Sequence, residues 1–341
     1  MKFFKDSDQL VECIPNFSEG RDKSIIDSIV NAIQSVGNTK VLHVDMGYDA
    51  NRTVITFVSK ADVIVEAAFQ GIKTATEKIN MAHHHGIHPR MGATDVCPLV
   101  PLQNISMEQT ISLSKQLAKK VGEELSIPVY LYEHSATQID RANLAYLRKG
   151  EYESIAEKMK DPNWLPDYGP AIFNIRSGMT AIGARNFLIA YNINLKTKDA
   201  NIAKRIAADI RESGSIKNGI HHKGKFKGLK AIGWYMESYH CAQVSTNIVD
   251  MYSAPLHEVF EAVKSLAKQY GTQVTGSELI GLIPQQILVN AGQYYSSTTF
   301  HDDNNNNLIN LAINSLGLNN LSEFISDEKI IEKLIDHQKV D

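Results

Sequence analysis

Cysteine is scarce in this chain. There are three in 341 residues, Cys13, Cys97 and Cys241, far apart in sequence. That excludes a disulfide framework and a CxxC-type metal pattern, and a reducing cytoplasm is the simplest compartment for such usage. An excess of charge of one sign is also missing. A net charge of −3 leaves no electrostatic footprint for nucleic acid or a membrane surface. The short basic cluster KGKFKGLK (223–230) reads as solvated loop. No apolar run approaches the roughly 18 residues of a membrane span. The N-terminal MKFFKDSDQLVECIP lacks the apolar core of a signal peptide.

What is present is an ordinary globular composition, 43% hydrophobic, long enough for two units of roughly 150–180 residues, each able to bury a core. Periodicity predicts a first strand at 10–15, a helix at 23–36 and strands at 40–45 and 53–59. A helix at 61–79 follows, then a strand at 96–102 weakened by Pro98 and Pro101, a helix at 107–125 and a strand at 127–132. Short helices are expected at 140–148 and 151–159, and loop at DPNWLPDYGP (161–170). A second series starts near Asn186: strand 187–195, helix 198–213, strands 230–236 and 242–250, helix 256–270 and a strand in GTQVTGSELIGLI. The polar HDDNNNNL (301–308) reads as a surface turn before final helices at 308–315 and 328–335. Each half thus shows strand–helix–strand–strand–helix–strand, the split βαβ or ferredoxin-like pattern. It predicts an α+β fold of antiparallel sheets with helices on one face. No residue-level repeat links the halves.

The densest chemistry lies in AHHHGIHPRMGATDVCPLVP (82–101). His84 and His88 have the i,i+4 spacing of a metal-binding pair, yet Gly86 between them and Pro89 after them oppose a continuous helix. His88 is alternatively an acid–base group, because imidazole both takes and gives a proton near neutral pH, with Arg90 available to grip a carboxylate. The plain alternative is a surface loop at His83–His85 and a hydrogen-bonded, buried His88. Cys97 reads as core. His134, His221, His222, His240, His257 and His301 have no motif around them and read as structural or surface residues.

An ordered set of segments then resembles the formiminotransferase family, the glutamate formimidoyltransferases. They are VECIPNFSEGRD (11–22), VDMGYDANRTVITFV (44–58), HHHGIHPRMGATDVCPLVP (83–101), LRKGEYE (147–153), PDYGP (166–170), GARNFLIAYNINL (183–195) and AQVSTNIVD (242–250). The resemblance implies subdomains over 1–186 and 187–335, with a folate cleft between them. It implies formimidoyl transfer between N-formimidoyl-L-glutamate and tetrahydrofolate as co-substrate, without a metal, in a cytoplasmic homodimer. It also implies a stand-alone transferase that hands its product to a separate cyclodeaminase. Formyl transfer from 5-formyltetrahydrofolate to glutamate and a non-catalytic folate-binding role are the alternatives.

Carried over residue by residue, the resemblance makes His88 of the HPR motif the catalytic acid–base and Asp45 the carboxylate that orients it. Asn51 and Arg52 of NRT are candidates for binding the substrate carboxylate, with Arg90. The folate-binding stretch falls on Gly169, Pro170, Ala171, Ile172, Phe173, Asn174, Ile175, Arg176, Ser177 and Gly178. Arg176 and Ser177 depart from the small or polar residue and the aromatic that the family often carries there. Arg176 is alternatively a partner for the folate glutamate tail. Asn16, Ser18 and Glu19 of NFSEG are expected to line the same cleft.

Overall fold

Two units make up the chain, dividing between Asn186 and Phe187. The structure, a computed structural model, describes residues 3–296 and 304–336. His301, with the start of the polar turn expected at 301–308, lies outside the described residues.

Unit 1 opens with β1 (Leu10–Cys13), β2 (Asn16–Phe17) and α1 (Lys23–Gln34). Asp22 caps α1 by accepting the Ser24 amide at 2.8 Å, and Ile26, Ile29 and Ile33 bury one helical face. The cap contributes about 0.5–2 kcal/mol. Each buried isoleucine contributes roughly 1.5–3 kcal/mol. The chain continues through β3 (Thr39–Gly47), β4 (Arg52–Lys60), α2 (Ile64–Lys78) and β5 (Thr94–Gln103). These elements form the predicted pattern, with β1 and β2 together serving as the first strand between β4 and β5, all antiparallel. An extension follows: α3 (Met107–Leu125), β6 (Val129–Leu131), two short helices α4 (Leu144–Arg148) and α5 (Ile155–Lys158), and β7 (Thr180–Ala184). A Ser106–Gln109 capping box starts α3. The extension adds β7 and β6 beyond β5, paired parallel, so the seven-stranded sheet of unit 1 is mixed.

Pro98 and Pro101 weakened the expectation of a strand, yet β5 is interior. The accommodation is local. Ile14, in the break between β1 and β2, donates to the Pro98 carbonyl at 3.2 Å. The return bond from residue 98 is missing because proline has no N–H. The Ile14 carbonyl accepts the Asn16 side-chain amide at 3.0 Å instead.

Unit 2 contains β8 (Ile189–Leu195), α6 (Ala200–Ile210), a small hairpin of β9 (Ser215–Lys217) and β10 (Ile220–His222), β11 (Leu229–Met236), β12 (Cys241–Ile248), α7 (Leu256–Gln269) and β13 (Val274–Ile280). Helices α8 (Gln285–Ser296), α9 (Asn305–Ser315), α10 (Ser326–Lys329) and α11 (Ile331–Asp336) follow. The sheet order β11-β12-β8-β13 is antiparallel throughout and repeats the four-strand order of unit 1. Tyr191, Ile193 and Leu195 of β8 join the helix-covered core. Its alternate residues do not: Asn194 accepts from Gln243 at 2.8 Å, and Asn192 and Gln243 both donate to Glu278. The fold is α+β.

Candidate active site

The segment around His88 is not helical beyond a single 3-10 turn at Met81–His83. It is stitched to the tip of the β3–β4 hairpin. Ile87 N–H donates to the Asp49 carbonyl at 3.1 Å, and Asn51 Nδ2 donates to the His85 carbonyl at 3.0 Å. Gly86 makes the close approach possible, since a Cβ there would lie 2.2 Å from the Ala50 carbonyl oxygen. His84 is buried, with Nε2 donating to the Asn51 carbonyl at 2.8 Å and Nδ1 accepting from Arg90 Nε at 3.3 Å. Both ring nitrogens are engaged, so the His84/His88 metal pair suggested by spacing does not form. His83 and His85 are exposed.

The stitching brings the first residue of β4 against His88. Arg52 Nη1 lies 2.6 Å from His88 Nε2. Guanidinium has no acceptor, so Nε2 presents its lone pair and the proton of the neutral ring sits on Nδ1. A hydrogen bond to the Pro89 backbone favours the charged ring, but burial and the charges of Arg52 and Arg148 outweigh it and hold the His88 pKa well below the ordinary histidine value. Burial also lowers Arg52, to about 10, with the like charge of Arg148 adding to the effect and Asp95 and Asp45 opposing it. Arg148 donates through Nε to Asp95 at 3.0 Å and also through Nη2, and Asp95 is 1% exposed. The centre is a half-buried neutral imidazole bonded to Arg52 and under the charge of Arg148.

Asp45 sits 3.6 Å from His43 Nε2, and its charge bears on Arg52. The sequence makes it the candidate to orient the imidazole; the hydrogen-bond partner of Nε2 is Arg52. Arg90 is also placed differently from expectation. It bonds Glu151 at 2.9 Å and Glu153 at 2.6 and 2.8 Å, and it donates to His84. Its donors are engaged, and it clamps the LRKGEYE segment to the histidine loop rather than offering itself to a carboxylate.

Several other expected cleft residues hold backbone. Asn51 accepts from Gly20 N–H at 3.0 Å while donating to His85. Ser18 Oγ donates to the Gly92 carbonyl at 2.7 Å, and Glu19 accepts the amides of Arg21 and Asp22. In the 169–178 stretch, Gly169 and Gly178 have φ of 81° and 68°, and a Cβ on Gly178 would meet the Met91 carbonyl at 2.1 Å. Arg176 bonds the Thr76 and Glu77 carbonyls at the end of α2, at 3.2 and 2.5 Å. These bonds cap the end of a helix. Asn174 accepts the Ser177 amide, Phe173 packs on Tyr152 at 5.2 Å, and Ile172 and Ile175 face solvent. These exposed apolar side chains leave the loop able to cover a flat ring. A separate cavity of about 760 Å³ in unit 2, lined by Lys196, Lys264 and Lys268 among others, contains none of the expected site residues.

Comparison with known proteins matches residues 10–185 to the formiminotransferase domain, N-terminal subdomain, and residues 190–336 to the formiminotransferase domain. The chain belongs to the formiminotransferase family. A formimidoyltransferase-cyclodeaminase from Dictyostelium discoideum is 44% identical over 329 residues, covering 96% of this chain. The chain spans 60% of the length of that relative. A glutamate formimidoyltransferase from Streptococcus pyogenes serotype M1 is 45% identical, covering 84% of this chain and 93% of that protein. One from Thermoplasma acidophilum is 43% identical, covering 84% and 92%. Within this formiminotransferase chain, sequence reasoning missed Arg148 and Asp95. Both lie in segments that carried the resemblance, LRKGEYE and the histidine stretch, so their place in ordered motifs was the available signal.

Proposed function

We propose that this chain transfers a formimidoyl group between N-formimidoyl-L-glutamate and tetrahydrofolate, with His88 moving the proton. The observation that carries this reading is the His88 imidazole bonded through Nε2 to Arg52, with the charge of Arg148 also bearing on it. The names of the S. pyogenes and T. acidophilum relatives support the donor. The folate amine attacks the amidine carbon, forming a C–N bond and a tetrahedral intermediate. His88 takes the proton released by the attacking nitrogen and returns it to the glutamate nitrogen as that C–N bond breaks. Arg52 binds a substrate carboxylate, and the 169–178 loop covers the pterin. Asp45 acts through Arg52.

The same reading takes residues 1–186 and 187–335 as the two subdomains of one transferase. It places the enzyme in the cytoplasm as a homodimer, in keeping with its sparse cysteines. A separate cyclodeaminase would receive the product, consistent with relatives named for the transferase alone.

The test is glutamate release from N-formimidoyl-L-glutamate, with and without tetrahydrofolate, in the presence of EDTA. Folate-dependent release is expected, reduced about 10²–10⁴-fold in His88→Gln. Folded wild-type protein that releases no glutamate would overturn the reading.

A further inference from the structure

The arrangement around His88 holds a contradiction for a base. The lone pair that must accept a proton is occupied by Arg52 Nη1 at 2.6 Å. An arginine does not deprotonate to make way and has no acceptor with which to trade roles. For Nε2 to work, Arg52 has to leave it.

We infer that Arg52 is a substrate-released latch: it holds Nε2 of His88 closed in the free enzyme, and an incoming substrate carboxylate draws the guanidinium away and opens it. This rests on the proposed function for the identity of the substrate, but the latch itself is a property of the Arg52–His88 pair. A hydrogen bond from guanidinium to carboxylate is charge-assisted and roughly twice as strong as one between neutral partners. The bond to the neutral imidazole is charged on the donor side alone, whereas a carboxylate is charged as well and can accept two parallel N–H bonds, so a carboxylate within reach is the better partner for Arg52.

The surroundings agree. Arg52 at the start of β4 carries the like charge of Arg148 from α4, whose own carboxylate partner is Asp95 of β5. The charge of Asp45 of β3 also bears on Arg52, and Asp45 is itself beside His43. A bound carboxylate gives Arg52 a directly bonded negative partner, and it does so as the lone pair becomes available. Before substrate arrives the base is closed to protons from solvent. Once substrate is bound, Nε2 is open and the ring can carry positive charge at lower cost. Arg52 is thus a positioning residue in the free state and a carboxylate ligand in the loaded one.

Histidine-selective ¹⁵N NMR on the full chain tests this, with His88→Gln identifying the His88 signals. In free wild-type protein the ring is expected as the Nδ1–H tautomer, resisting protonation well below the ordinary range. Arg52→Gln is expected to restore tautomer exchange and move the titration up from the wild-type position, still below the ordinary value because burial and Arg148 remain. Arg52→Lys, which keeps charge and a donor, is expected to fall between the two and controls for folding. L-glutamate added to wild type, as the dicarboxylate probe, is expected to shift Nε2 in the direction of Arg52→Gln. The latch is overturned if both Arg52 variants leave the tautomer and titration as in wild type, or if glutamate at high concentration leaves Nε2 unmoved. Loss of the transferase reading would show instead as no glutamate release from a wild-type protein whose His88 still responds to the Arg52 substitutions.

Discussion

At the scale of single residues, two arginines of similar appearance make opposite predictions. Arg148 faces Asp95, which is 1% exposed. Arg148→Ala strands a buried carboxylate and is expected to cost about 3–5 kcal/mol. Arg90 faces Glu151 and Glu153, whose side chains are 41% and 62% exposed and rehydrate when it is removed. Arg90→Ala costs the bond to buried His84 and the clamp on the loop, about 1–3 kcal/mol. Denaturant midpoints of the two variants check the order, and an Arg90 variant at least as destabilised as the Arg148 one would contradict it. The same pair shows what sequence conveys at this scale. His88 was legible because HPR sits in an ordered set of segments. Arg90 beside it looked like an anion ligand because the two glutamates that occupy it lie more than 60 residues on. Arg52 was named as a candidate, but its contact with His88 depends on a hairpin tip meeting a loop 36 residues away, and no local pattern encodes that.

At the scale of elements, the strand–helix order of the two four-stranded cores was readable from alternation and helical spacing, because burial of one face imposes those periods. The parallel addition of β6 and β7 was not, since β7 follows a long irregular segment and its partner β5 lies far upstream in the chain. The β9–β10 hairpin was missed although Asn218 and Gly219, with φ of 52° and 77°, are the residues such a turn favours. Helix α2 offers a test of the reassigned Arg176. If its role is to bond the last carbonyls, Arg176→Ala lowers stability by only about 0.3–1 kcal/mol and leaves the KM for folate within a few-fold of wild type. A large rise in that KM at unchanged stability would return Arg176 to the folate tail.

For the whole molecule, the histidines set the sign of the pH dependence. His84, His88 and His257 all have folded-state values below the ordinary one, chiefly through burial. The unfolded chain therefore binds more protons between those values and about 6.5. Their contribution is fully present above the unfolded value and is lost as pH falls below it. Thermal melts are expected to show a lower Tm at pH 5.5 than at 7.5, with a smaller drop in His88→Gln; an equal drop would exclude His88 as a source. Each unit also has a core cluster of its own, so a chain of residues 187–336 is expected to give a cooperative melt by circular dichroism, and a featureless one would show that it depends on unit 1.

The sheet order has a consequence during synthesis. Leu10 pairs with both Lys60 and Gln103, so the first strand of unit 1 waits on the ribosome for its full set of partners while about 90 more residues are made. At ~5–20 residues per second that interval is roughly 5–20 s. Throughout it, an apolar strand with an unpaired edge waits beside its neighbours, and β8 waits in the same way for β13. The period in which the nascent protein most needs protection from aggregation is thus set by how far along the chain the last partner of each unit's first strand lies.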